Sequence, residues 1–163
     1  MERIKPIRVI IAGILGGLVA SIEVYVLFRL IGFESWGILL NPQYQSLKLI
    51  KVWTEIEPIP LAVNHPGIIT LGFVILSILH AFVFAVIRQG IPGEGLKKGI
   101  IFGLIIWLFS YVFFEFFTPW NMFGEPLYLV GLELLFWIGV AFSEGIVIAK
   151  VYGGYDLKRN FAS

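Results

Sequence analysis

The chain contains no cysteine among its 163 residues, and only 14% of the residues are charged. The absence of cysteine excludes disulfides, thiolate catalysis and cysteine-ligated zinc or iron–sulfur centres. A soluble domain carries about 25% charged residues, because its surface faces water. With a mean hydropathy of +0.91, the chain therefore belongs with membrane proteins. Its length suits a single transmembrane domain, 1–163.

Residues that carry chemistry are also scarce. The chain has two histidines, no HExxH motif and a single aspartate, Asp156. Zinc peptidases of the HExxH class and membrane aspartyl proteases are therefore unsupported, as is bis-histidine haem, which needs a second intramembrane histidine. A net charge of +1 without a basic stripe gives no sign of nucleic-acid binding. An enzyme is the least supported class of function.

Four long apolar runs predict an all-α integral membrane protein, a bundle of four transmembrane helices at about 7–31, 67–88, 98–118 and 127–150. Each run is close to the roughly 20 residues that cross about 30 Å of hydrocarbon. Pro66 and Pro126 stand where a first helical residue would, a position with no backbone hydrogen bond to lose. The basic start followed by an apolar run is similar to a secretory signal, but its length favours an uncleaved first span.

Lysine and arginine are unevenly distributed around these runs. Nine of the twelve flank the side that holds both termini, and three face the other side: Arg29, Lys48 and Lys51. Basic residues favour the cytoplasmic side of a membrane. The sequence therefore predicts a multi-pass protein of the cell membrane with the N- and C-termini in the cytoplasm.

The first outer loop, 32–66, is too long for a simple turn. Asn41-Pro42 is typical of a helix start, because the amide caps the helix and proline fits its first position. Apolar residues then recur at helical spacing opposite charged ones, which predicts an additional amphipathic interfacial helix over about 42–56. Three tryptophans fall where an interfacial aromatic belt is expected: Trp36, Trp53 and Trp120.

The four runs form two hairpins joined by a short, glycine-rich cytoplasmic loop at 88–97, which favours antiparallel packing of the second and third runs. Segment 8–13 resembles segment 98–103, and segment 80–85 resembles segment 144–149. A hairpin that enters and leaves on the same side, used twice in parallel, explains both similarities. The sequence therefore suggests an internal repeat.

Small residues form ridges along the apolar runs. Because lipid tails are as apolar as leucine, membrane helices associate through close contacts between small residues. The ridges predict helix packing at Gly13, Gly16, Gly17, Ala20 and Gly145. Two interpretations stay open, namely packing within one bundle and contact with a second copy or with other membrane subunits. The expected partners are these chains and the lipid bilayer.

Five ionisable residues lie inside the apolar runs: Glu23, His80, Glu115, Glu133 and Glu144. A charge near the bilayer centre costs about 2.5–3.5 kcal/mol on insertion scales, so each residue requires a partner or a function. By depth, Glu23, Glu115 and Glu133 fall in the outer half, and His80 and Glu144 in the inner half. Such groups pass protons, bind a cation or contact a quinone headgroup. The structural alternative is that Glu115 and Glu133 reach outer water and the others only hold helices together.

A metal site is predicted only weakly. His65, together with Glu55, Glu57 and Glu125, offers ligands on the outer face. Surface carboxylates near a histidine are common, however, so the pattern has little specificity. No other metal site is expected.

Three classes of function remain open, in this order. The first is a non-enzymatic subunit that packs within a larger membrane complex or a homo-oligomer. The second is a small transporter, channel, or proton- or quinone-handling protein that uses Glu23, His80 and Glu144. The third is a membrane enzyme that acts on a lipid or quinone at the outer face, with the loop helix as a lid. A bound lipid or quinone is the cofactor that these classes imply.

Overall fold

The computed structural model describes residues 4–35 and 37–160, except for the side chains of Ser35 and 154–160. Arg3 and Trp36, on which part of the sequence analysis depends, lie outside these residues, as do the side chains of Lys158 and Arg159. The described residues form helices joined by turns and loops, with no strand among them. The prediction of an all-α protein is confirmed.

Four helices are long and apolar enough to cross a membrane: Pro6–Glu34 (span 1), Gly67–Ile87 (span 2), Gly95–Met122 (span 3) and Leu127–Gly153 (span 4). The number of spans matches the prediction. Successive spans alternate in direction, so that one end of the bundle carries the loops after spans 1 and 3. We call this the loop end, and the opposite end the terminal end.

Spans 1 and 3 extend further towards the loop end than the apolar runs do. Their last turns are π-helical, over Tyr25–Ser35 in span 1 and Phe116–Met122 in span 3. In span 1 these turns carry Arg29 and Glu34, whose side chains pair at 2.6 Å. Charged residues of this kind end an apolar run without ending the helix, which explains the difference from the predicted boundaries.

The first loop contains a short helix at Leu47–Thr54, which we call the loop helix. We predicted a longer helix over 42–56, with Asn41 as its cap. Asn41 instead forms a turn of its own, accepting a hydrogen bond from the Gln43 backbone N–H. The side chain of Ser46 caps the loop helix and thereby sets its start five residues later than expected. Its position at a membrane interface stays a prediction.

Hydrogen bonds tie the two loops of the loop end together. Ser46 Oγ donates to the Phe123 carbonyl at 2.7 Å, and Lys48 Nζ donates to the Met122 carbonyl at 2.5 Å. The Tyr128 hydroxyl, at the start of span 4, donates to a carbonyl of the first loop at 2.6 Å. The first loop is therefore fixed above the ends of spans 3 and 4.

Spans 1 and 2 form one closely packed hairpin, and spans 3 and 4 form the other. A Cβ atom on Gly17 would lie 2.5 Å from Val74 Cα, and one on Gly145 would lie 2.6 Å from Gly103 N. Real Cβ atoms essentially never approach so closely, so both contacts require glycine. The ridge residues thus serve contacts inside the bundle, the first of the two interpretations: Gly13, Gly16, Gly17, Ala20 and Gly145.

Spans 2 and 3 are not the close neighbours that the short loop between them suggested. In the described part of the chain, span 1 packs closely on spans 2 and 4, and span 4 packs closely on spans 1 and 3 and over a smaller area on span 2. Spans 2 and 3 meet through large side chains instead, with the rings of Phe84 and Phe102 centred 4.9 Å apart. The backbones approach closely where glycines line the contact, between spans 1 and 2 and between spans 3 and 4. Between spans 2 and 3, aromatic side chains fill the contact instead.

The two hairpins pack at positions that the suggested repeat makes equivalent. The alignment of 8–13 with 98–103 matches Gly13 to Gly103, and that of 80–85 with 144–149, extended by two residues, matches Ile78 to Phe142. In the structure Gly13 contacts Ile78 in the first hairpin, and Gly103 contacts Phe142 in the second. The matching contacts in the two hairpins therefore support the suggested repeat, in addition to the sequence similarity.

Candidate functional site

The candidate site is centred on a contact between span 2 and span 4. His80 Nδ1 lies 2.9 Å from Glu144 Oε1, and the two side chains are 12% and 1% exposed. We had placed both residues in the inner half of the bundle by depth, and the structure brings them into contact. They are also equivalent positions of the suggested repeat, and their contact joins the first hairpin to the second. Phe73 and Trp137, equivalent by the same alignment, meet nearby with ring centroids 6.2 Å apart.

Gly16 of span 1 makes room for the polar groups of this site. A Cβ atom at this position would lie 2.7 Å from Ser77 Oγ and 3.5 Å from Glu144 Cγ. Ser77 is one helical turn before His80 on span 2, so its hydroxyl faces the same region. The ridge of small residues on span 1 therefore packs against the neighbouring helices and also forms one wall of the site.

Three buried polar atoms of this site have no hydrogen-bond partner among the described residues: Ser77 Oγ, the Tyr111 hydroxyl and Glu144 Oε2. Their residues are at most 5% exposed, and Tyr111 lies in the same region of the bundle as Glu144. A buried polar group without a partner costs about 1–3 kcal/mol. Three of them around the His80–Glu144 pair indicate a place for small hydrogen-bonding groups such as water or a proton carrier.

An aromatic pair connects the His80–Glu144 pair to the loop end. The Tyr111 ring stacks on the Trp137 indole, with centroids 4.3 Å apart and planes 7° apart. Trp137 Nε1 then donates a hydrogen bond of 2.5 Å to Glu115 Oε1. Two stacked aromatic rings and the Trp137–Glu115 hydrogen bond therefore lie between the middle of the bundle and the carboxylates near its loop end.

A second cluster lies at the loop end, and we call it the carboxylate triad: Glu115, Glu125 and Glu133. One carboxylate oxygen from each lies within 4.8 Å of the others, and these groups are buried. The triad joins span 3, the turn before span 4, and span 4 itself. The alternative that Glu115 and Glu133 reach water is wrong for Glu115, which is fully buried, while Glu133 keeps some exposure outside its carboxylate.

Glu125 belongs to the loop between spans 3 and 4, yet its residue is only 1% exposed. Gln45 Nε2, from the first loop, donates a 2.6 Å hydrogen bond to Glu125 Oε1. Burial raises the pKa of Glu125 to about 7; the hydrogen bond from Gln45 opposes this rise, and the charge of Glu115 adds to it. The triad therefore combines closely spaced carboxylates with neutral donors.

Glu23 does not join the carboxylates with which we had grouped it. It is partly exposed on span 1 and faces Ser143 of span 4, with Oε2 buried and unpartnered. Span 1 continues to Glu34, so Glu23 lies deeper than its distance from the end of the apolar run suggested. The rings of Phe28 and Trp137, 4.5 Å apart, lie between Glu23 and the loop end. Among the described carboxylates, Glu125 occupies the place expected for Glu23.

The weak metal site at His65 is not formed as predicted. His65, Glu55 and Glu57 are exposed, whereas Glu125 is buried in the carboxylate triad. The sequence signal for Glu125 is limited to its position: it stands next to Pro126 at the start of span 4, at the same end of the bundle as Glu133.

Comparisons of this chain with protein-family models, with curated proteins and with solved structures gave no match. The four apolar helices fit a small polytopic membrane protein. Two buried polar sites inside that bundle, the His80–Glu144 pair and the carboxylate triad, are the features from which its function must be inferred.

Proposed function

We propose that this chain is a small proton-handling membrane protein of the transporter class, in which the His80–Glu144 pair takes up and releases protons. The observation that carries the proposal is the 2.9 Å contact between a buried carboxylate and an imidazole inside the bundle. Ionisable residues within transmembrane segments are rare, pair with one another and mark proton relays. Histidine is the side chain whose charge changes closest to neutral pH.

Both nitrogens of the imidazole have polar neighbours. Nδ1 faces Glu144, and Nε2 lies 3.5 Å from the Ser110 hydroxyl of span 3. A ring with polar groups at both nitrogens can accept a proton at one and release a proton from the other. The unpartnered hydroxyls of Ser77 and Tyr111 provide further positions beside the pair.

The side chains around the His80–Glu144 pair favour access of protons to the pair from the loop end. On the terminal side, the Phe84 ring packs against Phe102 and against Tyr152, with centroids 4.9 and 6.1 Å apart. On the loop side, Tyr111, Trp137 and Glu115 supply hydroxyl, indole N–H and carboxylate groups in succession. The polar groups on the loop side support proton exchange with that side, while the Phe84 and Phe102 rings form an apolar layer towards the terminal end.

Proton flux into liposomes tests the proposal. The purified protein is reconstituted with an entrapped pH-sensitive dye, and a potassium diffusion potential drives protons inward. We expect flux above that of protein-free liposomes, and its loss in His80→Gln and in Glu144→Gln, because neither variant retains the imidazole–carboxylate pair.

Glu55→Gln is the matched control for this assay, because it makes the same replacement as Glu144→Gln at an exposed glutamate of the first loop. It should keep wild-type flux. Wild-type flux equal to that of empty liposomes, or unchanged flux in both pair variants, would show that the pair is structural.

A non-enzymatic membrane subunit is the second candidate. One observation favours it, a row of exposed aromatic side chains along span 3: Phe109, Phe113, Phe116, Phe117 and Trp120. The ridges of small residues no longer support it, since they pack within the chain. Foreign membrane chains that co-purify in gentle detergent would favour the subunit, whereas a lone chain or a homo-oligomer favours the proton-handling protein.

We also propose that both termini face the cytoplasm of the cell membrane. The support is the excess of lysine and arginine at the terminal end, nine of twelve residues. A reporter active only in the cytoplasm should be active when fused after Ser163 and inactive when inserted in the first loop, 35–66. The opposite pattern would invert the topology and place the loop end in the cytoplasm.

A further inference from the structure

The carboxylate triad is a second polar site, and the His80–Glu144 pair does not account for it. Fully ionised, it would place three negative charges within 4.8 Å of one another. Like charges this close, in surroundings poor in water, repel strongly. Glu115 and Glu125 accept hydrogen bonds from the neutral groups of Trp137 and Gln45, and the carboxyl groups of Glu115 and Glu133 also lie within hydrogen-bonding reach of each other. These donors orient the carboxylates without cancelling their charge.

We propose that Glu115, Glu125 and Glu133 bind a hard divalent cation, of the kind represented by Ca²⁺, Mn²⁺ and Mg²⁺. The donor set consists only of carboxylate oxygens, which these ions prefer over the softer metals that select sulfur or imidazole. A divalent ion would offset two of the three charges. The proposal does not depend on proton handling by His80 and Glu144.

The hydrogen bonding of the individual oxygen atoms independently supports a bound cation. Glu115 Oε2 and Glu125 Oε2 are buried and have no partner among the described residues, and their residues are 0% and 1% exposed. The Oε1 atom of each accepts an N–H hydrogen bond. Carboxylates that ligate metals are commonly held in this way, with one oxygen oriented by an outer hydrogen bond and another left for the ion.

The position of the triad gives a bound cation a structural consequence. Its ligands come from span 3, from the turn that follows it and from span 4, while Gln45 attaches the first loop to the same site. The ion would therefore link both loops to the bundle. Gln45 contributes an outer contact rather than a ligand, so its loss should weaken the site without removing it.

Manganese binding to the whole protein tests the proposal. After treatment with a chelator, the detergent-solubilised protein is titrated with Mn²⁺, and free Mn²⁺ is followed by electron paramagnetic resonance. We expect one ion per chain and at least about tenfold weaker binding in Glu125→Gln, since even outer partners of a ligand contribute about 10- to 100-fold to affinity. Glu55→Gln, an exposed glutamate of the same loop end, should bind as the wild type does.

Thermal unfolding provides the second measurement. Mn²⁺ should raise the unfolding temperature of the wild type and of Glu55→Gln, and should raise that of Glu125→Gln clearly less at the same Mn²⁺ concentration. If Glu125→Gln does not fold, Gln45→Ala replaces it and should bind Mn²⁺ about 10- to 100-fold more weakly. A folded wild type that binds no Mn²⁺, or a Glu125→Gln protein with wild-type affinity, would overturn the proposal and leave a triad that holds protons. Neither result affects the liposome assay of His80 and Glu144.

Discussion

Leucine at position 145 is expected to prevent the second hairpin from packing. A Cβ atom there would lie 2.6 Å from both Gly103 N and Gly99 O, and 2.8 Å from Gly103 Cα. These are backbone atoms, which cannot rotate away, so spans 3 and 4 would have to separate. Membrane helices are held by close packing, and forcing bulk into a packed contact costs about 1–3 kcal/mol or more. Thermal unfolding in detergent should show a large decrease in the midpoint.

Gly131→Leu is the matched control, because it lies on the same span and a Cβ atom there would meet nothing within 4 Å. It should unfold at the wild-type temperature. If Gly145→Leu also unfolds at that temperature, close approach of spans 3 and 4 at this glycine is not needed for the fold.

Exchanging His80 and Glu144 is expected to restore the proton flux that either single replacement abolishes. His80→Glu alone leaves two carboxylates facing each other, and Glu144→His alone leaves two imidazoles. The double variant recreates the imidazole–carboxylate pair in the opposite order, at positions that the repeat makes equivalent. Each single variant loses the complementary imidazole–carboxylate contact inside the bundle and should therefore also have lower thermal stability, and the double variant should regain most of it.

The double variant should be compared with both single variants in the same liposome assay. Recovery of flux would show that the pair itself is sufficient. A double variant that unfolds at the wild-type temperature but carries no protons would show that the order matters, because Ser110 lies beside the imidazole at position 80. Positions 80 and 144 would then be equivalent in how they pack but not in how they handle protons.

The four spans could be predicted because continuous apolar runs report directly on burial in lipid. The depth of His80 and Glu144 followed from the same runs, and their contact agrees with the suggested repeat. The residues at which spans 1 and 3 end, at the loop end of the bundle, could not be predicted. Their π-helical turns carry polar residues such as Glu34, and hydropathy does not distinguish a polar helical turn from a loop.

The carboxylate triad was only partly predictable. Glu115 and Glu133 share the loop end by depth, but Glu125 and Gln45 lie in loops, where no periodicity reveals the direction of a side chain. The separation of spans 2 and 3 was missed for a different reason. Loop length limits which helices can be neighbours, whereas side-chain volume decides how close they come, and Phe84 and Phe102 fill that space.

The glycine contacts within each hairpin bear on the order in which the chain assembles. Gly17 meets Val74 within the first hairpin, and Gly145 meets Gly103 within the second. Each hairpin can therefore close as soon as its own two helices are in the bilayer, and the first can do so before the second has been synthesised. His80 and Glu144 lie on different hairpins. Until the hairpins dock, each of them faces lipid without the other, so docking is the step at which both gain a partner. An ionisable pair at the junction thus favours completed assembly over two separate halves.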